Sequence, residues 1–323
     1  MEFQNNVIKN IYFVISKAVL PLDLGGPLQV FLEAQRAGAP IALHYVSPTS
    51  EQVLGGGLTL ANLSPLPQTL LCHDVVVLPG SYGSFDYCLS EEGEVVADWL
   101  KHTVRQQLVF TICSGAFMAA KAGLLANKKC TTHHELTERL KLAYPELNVL
   151  ETCLFVEDGN MLTSAGISSG IDAALHFVAK QFGDELSMKV AREMLVYFRR
   201  DGRDSQQSVW LNGRNHLHRA VHRAQDLICA RLHQDIRVAS IASDVGISER
   251  QLSRLFKQAI GIGVQQYINS LKIVRAKQLL QTRHIDIELV ATECGFSSSR
   301  HFRRIWQQFE TIAPSQFRKS IMS

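Results

Sequence analysis

The sequence lacks the features that place a protein in a membrane or outside the cell. Among its 323 residues, no uncharged apolar run approaches the roughly 20 residues that a membrane helix needs. Its first residues, Met-Glu-Phe-Gln-Asn-Asn, do not have the basic start of a signal peptide. We therefore expect a cytoplasmic protein with no membrane partner.

The chain also lacks any pair of cysteines with the C-x-x-C spacing of zinc and dithiol sites. Its seven cysteines are an odd number in a long chain, which does not suggest a disulfide framework. The sequence thus predicts no metal site and no cofactor, and it favours a reducing compartment.

Net charge is small, +3, but this value hides an asymmetry. Residues 1–205 carry 16 Lys and Arg against 22 Asp and Glu, whereas residues 206–323 carry 17 against 8. The acidic front and basic back indicate that only the back meets a polyanion. With 46% hydrophobic residues, the chain has enough apolar side chains for packed cores, and its length suits two domains.

Strands and helices alternate over the first 185 residues. The predicted strands are 11–16, 41–46, 74–80 and 108–113, and the predicted helices are 28–37, 92–104, 114–123 and 171–182. Residues 21–27 are predicted to form a turn before the first helix. The alternation predicts an α/β domain of flavodoxin-like type, with a parallel sheet flanked by helices. It ends at the polar residues 199–208, so we predict a front domain at 1–198, a linker at 199–215 and an all-α domain at 216–323.

A candidate helix-turn-helix lies at residues 238–257. Gly246 stands at the turn, the small Ala242 leaves room for two crossing helices, and Ser248 is positioned to cap the second helix. Apolar residues occupy the positions where the helices would touch: Ile241, Val245, Ile247, Leu252 and Leu255. The opposite face carries Arg250, Ser253 and Arg254 at helical spacing, which suits the major groove of DNA.

Residues 285–309 repeat this pattern. The residues that match 241, 242, 245, 246 and 247 are Val290, Ala291, Cys294, Gly295 and Phe296. Three apolar residues of the second copy lie one residue later relative to Gly295 than Leu252 and Leu255 do relative to Gly246: Phe302, Ile305 and Phe309. This offset predicts one extra residue in the turn, within 297–299. A helix at 265–281 would join the copies, with an inner side that carries Tyr267, Ile268, Leu271, Val274 and Leu279. The repeat favours two helix-turn-helix motifs over an ordinary helical hairpin with a solvated basic face.

Residues 216–320 resemble the DNA-binding domain of the AraC/XylS family. The resemblance is carried by Ile241-Ala242, Leu-Ser-Arg-Leu-Phe-Lys at 252–257, Arg-Ala-Lys-Gln-Leu-Leu at 275–280, Ala-Thr-Glu-Cys-Gly-Phe at 291–296 and Pro-Ser-Gln-Phe-Arg at 314–318. It implies two recognition helices in successive major grooves of double-stranded DNA, about 34 Å apart. The matching base-reading residues are Arg250, Ser253, Arg254, Ser299, Arg300 and Arg304. Lys257 and Arg303 lie further round their helices and are predicted to contact phosphates.

Cys113 ends an apolar strand and is followed at once by Ser-Gly-Ala and a helix. Such an elbow presents a side chain at the carboxyl edge of a parallel sheet, where α/β proteins place their sites. The helix N-terminus is expected to lower the pKa of the thiol. The alternative is an ordinary buried cysteine of the core.

Residues 10–185 resemble the ThiJ/PfpI superfamily, which has the class I glutamine amidotransferase-like fold. The carrying segments are Leu-Pro-Gly at 78–80, Cys-Ser-Gly-Ala at 113–116, Thr-Thr-His at 131–133 and Asp-Gly-x-x-Leu-Thr-Ser-Ala-Gly at 158–166. The resemblance matches a vestigial catalytic set to Cys113, His133 and Asp23. Aspartate stands where the enzymes carry the longer glutamate, and Ser114 replaces the histidine base of peptidase-like members. The sequence leaves open whether His133, next to His134, faces the cysteine at all.

The combined architecture is similar to the GlxA-type branch of transcriptional regulators. The segments at residues 21–27 and 199–202 are also similar to the corresponding segments of that branch. The resemblance implies a non-enzymatic homodimer that binds DNA and a small-molecule effector, with RNA polymerase as a further partner if it is an activator. The effector residues would be Asp23, Pro79, Gly80, Cys113, Ser114 and His133. Some members respond to amine-bearing metabolites, but nothing in this sequence selects a ligand.

Two alternatives stay open. One is an active cysteine hydrolase or glyoxalase-like enzyme fused to a DNA-binding domain, which requires Asp23 and His133 within hydrogen-bond reach of Cys113. The other is a regulator that senses oxidants through the Cys113 thiolate. The sequence does not decide between activation and repression.

Overall fold

The computed structural model describes residues 9–196, 200, 202, 206, 216, 218–282 and 285–322. The chain forms two units that meet in the sequence after Gln206, and each unit has cores of its own. Most of the predicted linker, 199–215, lies outside the described residues, so the domain boundaries stay predictions. No helix within the described ranges has the length and apolar character of a membrane span.

The described strands of the front unit are β1 (Lys9–Val14), β2 (Ile41–Val46), β3 (Glu51–Val53), β4 (Thr59–Ala61), β5 (Val75–Leu78), β6 (Leu108–Ile112), β7 (Lys129–Cys130), β8 (Asn148–Val149), β9 (Phe155–Asp158) and β10 (Met161–Ser164). Six of them form one sheet in the order β2-β1-β5-β6-β10-β9. All neighbours in this sheet run parallel except β9, which pairs antiparallel with β10. The predicted parallel sheet is therefore confirmed.

The described helices of this unit are α1 (Pro21–Arg36), α2 (Ser84–Cys88), α3 (Glu91–Thr103), α4 (Gly115–Lys121), a 3₁₀ turn (His134–Leu136), α5 (Thr137–Ala143), α6 (Ser168–Phe182) and α7 (Asp184–Glu193). Apolar residues of α1, α6 and α7 pack on one face of the sheet, around Phe13 and Phe110. Residues of α3 and α4 pack on the other face, around Val76 and Val109. Burial on both faces explains why β5, Val-Val-Val-Leu, is apolar without alternation.

The prediction of a turn at residues 21–27 is wrong, because these residues are the first two turns of α1. Pro21 suits the helix start, where its missing N–H breaks no hydrogen bond. Gly26 packs against α6, since a Cβ built on it would lie 3.0 Å from Ile171 Cγ1. Tertiary packing therefore overrides the weak local helix propensity of Gly25, Gly26 and Pro27.

The described helices of the back unit are α8 (Arg219–Ala230), α9 (Val238–Val245), α10 (Glu249–Ile260), α11 (Val264–Thr282), α12 (Ile287–Glu293), α13 (Ser299–Trp306) and α14 (Pro314–Met322). Two hydrophobic clusters lie along α11. The first joins the start of α11 to α8, α9 and α10, and the second joins its later part to α12, α13 and α14. The predicted all-α fold with two helix-turn-helix motifs is confirmed.

Two details of the back unit differ from the prediction. Val274 and Leu279 are only half-buried, whereas Ile273, Ala276 and Leu280 are buried, because α11 turns its apolar side from one cluster to the next. Phe309 lies beyond the end of α13 and is exposed.

Candidate functional site

Cys113 forms a strained elbow between β6 and α4. Its φ of 53° lies in the left-handed region, which a non-glycine residue adopts at a cost of about 1–3 kcal/mol. Its N–H donates to Ser164 O at 2.9 Å, so the backbone at the elbow is tied to the neighbouring strand β10. The turn places the N–H of Ser114, just before α4, against the Cys113 sulfur. The predicted elbow is thus present at the carboxyl edge of the sheet.

Asp23 reaches this elbow from the first turn of α1. Its Oδ1 accepts the N–H of Ile167 at 2.7 Å. Its Oδ2 faces the thiol of Cys113 and the backbone of Gly80, without a hydrogen bond of ordinary geometry among the described residues. A Cβ built on Gly80 would overlap Oδ2 and lie 2.8 Å from Cys113 Cβ, so only glycine fits between them. The aspartate therefore reaches the thiol although it is shorter than glutamate, because the helical start of α1 carries it there.

Burial dominates the electrostatics of this pair. Desolvation raises the pKa of the Asp23 carboxyl above its ordinary value of 3.8, and the hydrogen bond from Ile167 offsets only part of this effect. Burial, followed by the charge of Asp23, raises the pKa of the Cys113 thiol from 9.0 to about 12. The Ser114 N–H at the helix start lowers it, as expected, but is outweighed. The expectation of a lowered thiol pKa was therefore wrong, and the thiol is protonated at neutral pH.

His133 makes no hydrogen bond with the Cys113 thiol among the described residues. Its Nδ1 accepts the Glu135 N–H at 3.4 Å, and its ring lies 4.3 Å from that of His134. The adjacent Thr132 instead meets the elbow, donating from Oγ1 to Cys113 O at 2.7 Å. Of the three residues matched to the vestigial catalytic set, Asp23 and Cys113 lie side by side at Gly80, and His133 is not hydrogen-bonded to either of them among the described residues.

Ser114 ties the elbow to the loop that follows β5. Its Oγ donates to Ser81 O at 3.0 Å and accepts the Ser81 N–H at 2.9 Å. Pro79 and Gly80, which begin this loop, are both buried. A cavity of about 20 Å³ lies beside the loop and is lined in part by Ser81 and Tyr87. Since one water needs at least about 10–15 Å³, this cavity accommodates little more than one water.

The lining residues Ser84 and Tyr87 were not identified from the sequence, although they follow β5 at the edge of the sheet where sites are expected. The hydroxyl of Tyr87 has no hydrogen-bond partner among the described residues. Within the same residues, no three His, Cys, Asp or Glu side chains come together as metal ligands.

Two residues of the predicted linker are fastened to the front unit. Arg200 donates from Nε and Nη2 to Asp172 Oδ2, at 2.8 and 2.6 Å. Gln206 donates from Nε2 to Thr132 O at 2.9 Å. Because Thr132 also holds the carbonyl oxygen of Cys113, two hydrogen bonds connect the elbow to the last residue of the front unit.

The first helix-turn-helix consists of α9 and α10. Gly246 ends α9 with a φ of 80°, and Ser248 Oγ accepts the Gln251 N–H at 3.2 Å, which confirms the predicted cap. The predicted contact residues are buried, or half-buried at the last two: Ile241, Ala242, Val245, Leu252, Ile247 and Leu255. The predicted DNA-facing side chains are exposed and make no hydrogen bond or ion pair with other described residues: Arg250, Ser253, Arg254 and Lys257.

The second motif consists of α12 and α13. Ser298 Oγ caps α13 by accepting the His301 N–H at 3.1 Å. Ser298 is the third residue after Gly295, whereas Ser248 is the second residue after Gly246, which confirms the extra residue in the turn. The predicted DNA-facing residues differ among themselves: Ser299 is half-buried, Arg300 and Arg304 are exposed and unpaired within the described chain, and Arg303 lies 3.3 Å from Glu288.

Comparison with known proteins agrees with both units. Residues 9–180 match the DJ-1/PfpI family, and residues 241–320 match a helix-turn-helix domain. The chain is 32% identical over 211 residues to the HTH-type transcriptional regulator GbdR of Pseudomonas aeruginosa, covering 64% of this chain and 56% of that protein. It thus spans little more than half the length of that relative.

A second relative matches over more of its length. The chain is 27% identical over 271 residues to the HTH-type transcriptional regulator GlxA of Rhizobium meliloti, covering 82% of this chain and 83% of that one. The crystal structure of a ThiJ/PfpI family protein from Pseudomonas syringae superposes with a TM-score of 0.51 at 20% identity, covering 62% of this chain and 80% of that one. This likeness shows the fold alone. The front match spans more than half of the sequence, and the chain belongs to the DJ-1/PfpI family, with an AraC-type helix-turn-helix domain following the family domain.

Proposed function

We propose that the protein is a sequence-specific transcriptional regulator that binds double-stranded DNA and responds to a small-molecule effector. The observation that carries this proposal is the unpaired basic face of both recognition helices. Arg250, Arg254 and Lys257 on α10, and Arg300 and Arg304 on α13, are exposed and have no protein partner among the described residues.

Some arginines outside the two recognition helices are paired with carboxylates. In the same unit Arg231 pairs with Asp244, and in the front unit Arg200 pairs with Asp172. Arginines left free on two serine-capped helices suit guanine edges, where a bidentate contact contributes about 1–3 kcal/mol of discrimination. The relatives GbdR and GlxA, which are named transcriptional regulators, support the same function.

The test is selection of duplexes from a random library, followed by titration of the enriched DNA. We expect one motif with two half-sites about one helical turn apart. Arg254→Ala or Arg304→Ala should each weaken binding by about 5- to 150-fold, as 1–3 kcal/mol implies. Arg231→Ala removes an arginine of the same unit whose partner is Asp244, and should bind like the wild type. Absence of an enriched motif, with and without added cell metabolites, would overturn the proposal.

We further propose that the front unit is a sensor without enzymatic activity. The raised pKa of the Cys113 thiol and the absence of a hydrogen bond between this thiol and His133 among the described residues support this, because a cysteine enzyme needs a thiolate and a base that can reach it. Effector contacts are proposed at the elbow, through Asp23, Pro79, Gly80, Cys113 and Ser114. The predicted lining role of His133 stays a prediction, as do a homodimer, a cytoplasmic location and contact with RNA polymerase.

Effector binding requires the loop after β5 to move, since the cavity beside it accommodates little more than one water. The reciprocal hydrogen bonds between Ser81 and Ser114 would then break or shift, and this would displace the elbow at Cys113, the residue before Ser114. From the elbow, Thr132 and Gln206 lead to the point where the back unit begins in the sequence.

This route can be tested once a metabolite screen by thermal shift has given an effector. A true effector raises the melting temperature and also changes the affinity for the selected DNA. Gln206→Ala should keep the thermal shift and lose most of the change in DNA affinity. An unchanged response in Gln206→Ala would refute the coupling route, and a screen without hits that change DNA affinity would refute the sensor.

A further inference from the structure

Lys272 is a charged residue buried inside the back unit. It lies on α11 between Leu271, which belongs to the first hydrophobic cluster, and Ile273, which belongs to the second. Only 4% of Lys272 is exposed. Its position is therefore the boundary between the two helix-turn-helix halves.

The ammonium group of Lys272 is held by one backbone carbonyl from each half. Nζ donates to Gln234 O at 3.0 Å, in the loop between α8 and α9, and to Gly295 O, in the turn between α12 and α13. The ring of Phe296 lies 5.3 Å from Nζ. No carboxylate forms an ion pair with Lys272 among the described residues, so the carbonyls and the ring replace the hydration of the charge.

The two halves also touch directly at this point. A Cβ built on Gly295 would overlap the carbonyl oxygen of Gln234 and lie 2.7 Å from its backbone nitrogen. The turn of the second motif therefore rests on a loop of the first. The ammonium group of Lys272 donates to both segments that form this contact.

We propose that Lys272 is a positioning residue that fixes the two recognition helices relative to each other and so sets the half-site spacing that the protein reads. The inference rests on the proposed DNA-binding function. A rigid pair of modules binds two half-sites with a gain of about 10²–10⁴-fold over one, and a loose pair loses part of this gain. A loose pair also accepts other spacings.

The variant Lys272→Met separates positioning from folding. Methionine is of similar length and fills the buried space. It removes the desolvation cost of the buried charge, which offsets part of the cost of leaving the two carbonyl oxygens without this donor. It cannot donate to Gln234 O and Gly295 O, so the halves lose the hydrogen bonds that join them through this side chain, while the direct contact of Gly295 with Gln234 remains. Lys277→Met is the control, because Lys277 lies on the same helix but pairs with Glu310, next to the second cluster.

The experiment uses full-length protein and DNA selected from a random library by the wild type. Three duplexes are titrated: the selected one, one with a scrambled second half-site, and one with two base pairs inserted between half-sites. For the wild type and Lys277→Met we expect the altered duplexes to bind at least about 100-fold more weakly. For Lys272→Met we expect penalties below about 10-fold, with unchanged affinity for the single half-site.

Three results would overturn the proposal. The first is equal penalties in Lys272→Met and wild type, and the second is a uniform loss on all three duplexes, which indicates a merely structural role. The third leaves Lys272 in place and does not depend on the folding of Lys272→Met. Nitroxides introduced as unnatural amino acids at the exposed positions 258 and 307 should show one narrow distance distribution without DNA, and a broad one contradicts the proposal. Failure of the wild type to enrich any DNA would instead refute the proposed function.

Discussion

Iodoacetamide should alkylate Cys113 far more slowly than Cys72, although both thiols belong to the same unit. The reagent attacks the thiolate, and the fraction of thiolate falls tenfold for each unit by which the pKa rises. Burial raises the pKa of Cys113 from 9.0 to about 12. At neutral pH its thiolate fraction is therefore about 1,000-fold smaller than that of a thiol with a pKa of 9.0. Cys113 is also only 5% exposed, whereas Cys72 is exposed. We therefore expect a rate ratio of at least about 1,000.

The assay follows both peptides by mass spectrometry after a timed reaction of the folded protein. In guanidinium chloride the burial is lost, so Cys113 and Cys72 should react at similar rates. Alkylation of folded Cys113 within about tenfold of Cys72 would refute the reasoning, because the thiol would then be substantially ionised or accessible. That outcome would favour the enzyme and the oxidant-sensing alternatives over an effector site with an unreactive Cys113.

Other predictions concern stability. Because burial raises the pKa of Asp23, its stabilising contribution is complete below pH 3.8 and is lost as the pH rises through the folded-state pKa. Between about pH 4 and about pH 8, the urea midpoint of the wild type should therefore fall relative to that of Asp23→Asn. Midpoints of the two proteins that change in parallel with pH would contradict this. Gly80→Ala should destabilise by about 1–3 kcal/mol through overlap with Asp23, whereas Gly25→Ala, whose Cβ meets nothing within 4 Å, should stabilise slightly; equal urea midpoints would argue against this overlap. Ser248→Ala should lose about 1 kcal/mol of stability with its helix cap, and a midpoint unchanged from wild type would show that the cap contributes nothing.

Local patterns predicted much of the fold because the interactions involved are local. Gly246 and Ser248 lie within a few residues of the helices they end and begin, and the longer second turn could be counted from the positions of Phe302 and Ile305. The strand at 41–46 was found because an apolar run between turn residues is sufficient to predict it.

The failures depend on contacts between residues far apart in the sequence. Residues 21–27 are helical because Gly26 packs on Ile171, 145 positions away. The thiol pKa follows from how completely Cys113 is buried beside Asp23, which the helix N-terminus alone does not reveal. The role of Lys272 was not identified from the sequence, since its carbonyl partners come from two separate loops.

The amide of Gln206 has more acceptors than it can use. Besides Thr132 O, its Nε2 lies 3.0 Å from Cys153 O, 3.2 Å from Glu151 O and 3.3 Å from Thr131 Oγ1. A primary amide has two hydrogens, so it can exchange one acceptor for another while it keeps two hydrogen bonds. If one of these carbonyl groups is displaced slightly, the Gln206 amide can move with it or bond to another acceptor, and Gln206 stays attached. The end of the front unit can thus move in small steps with its surroundings, at little energetic cost.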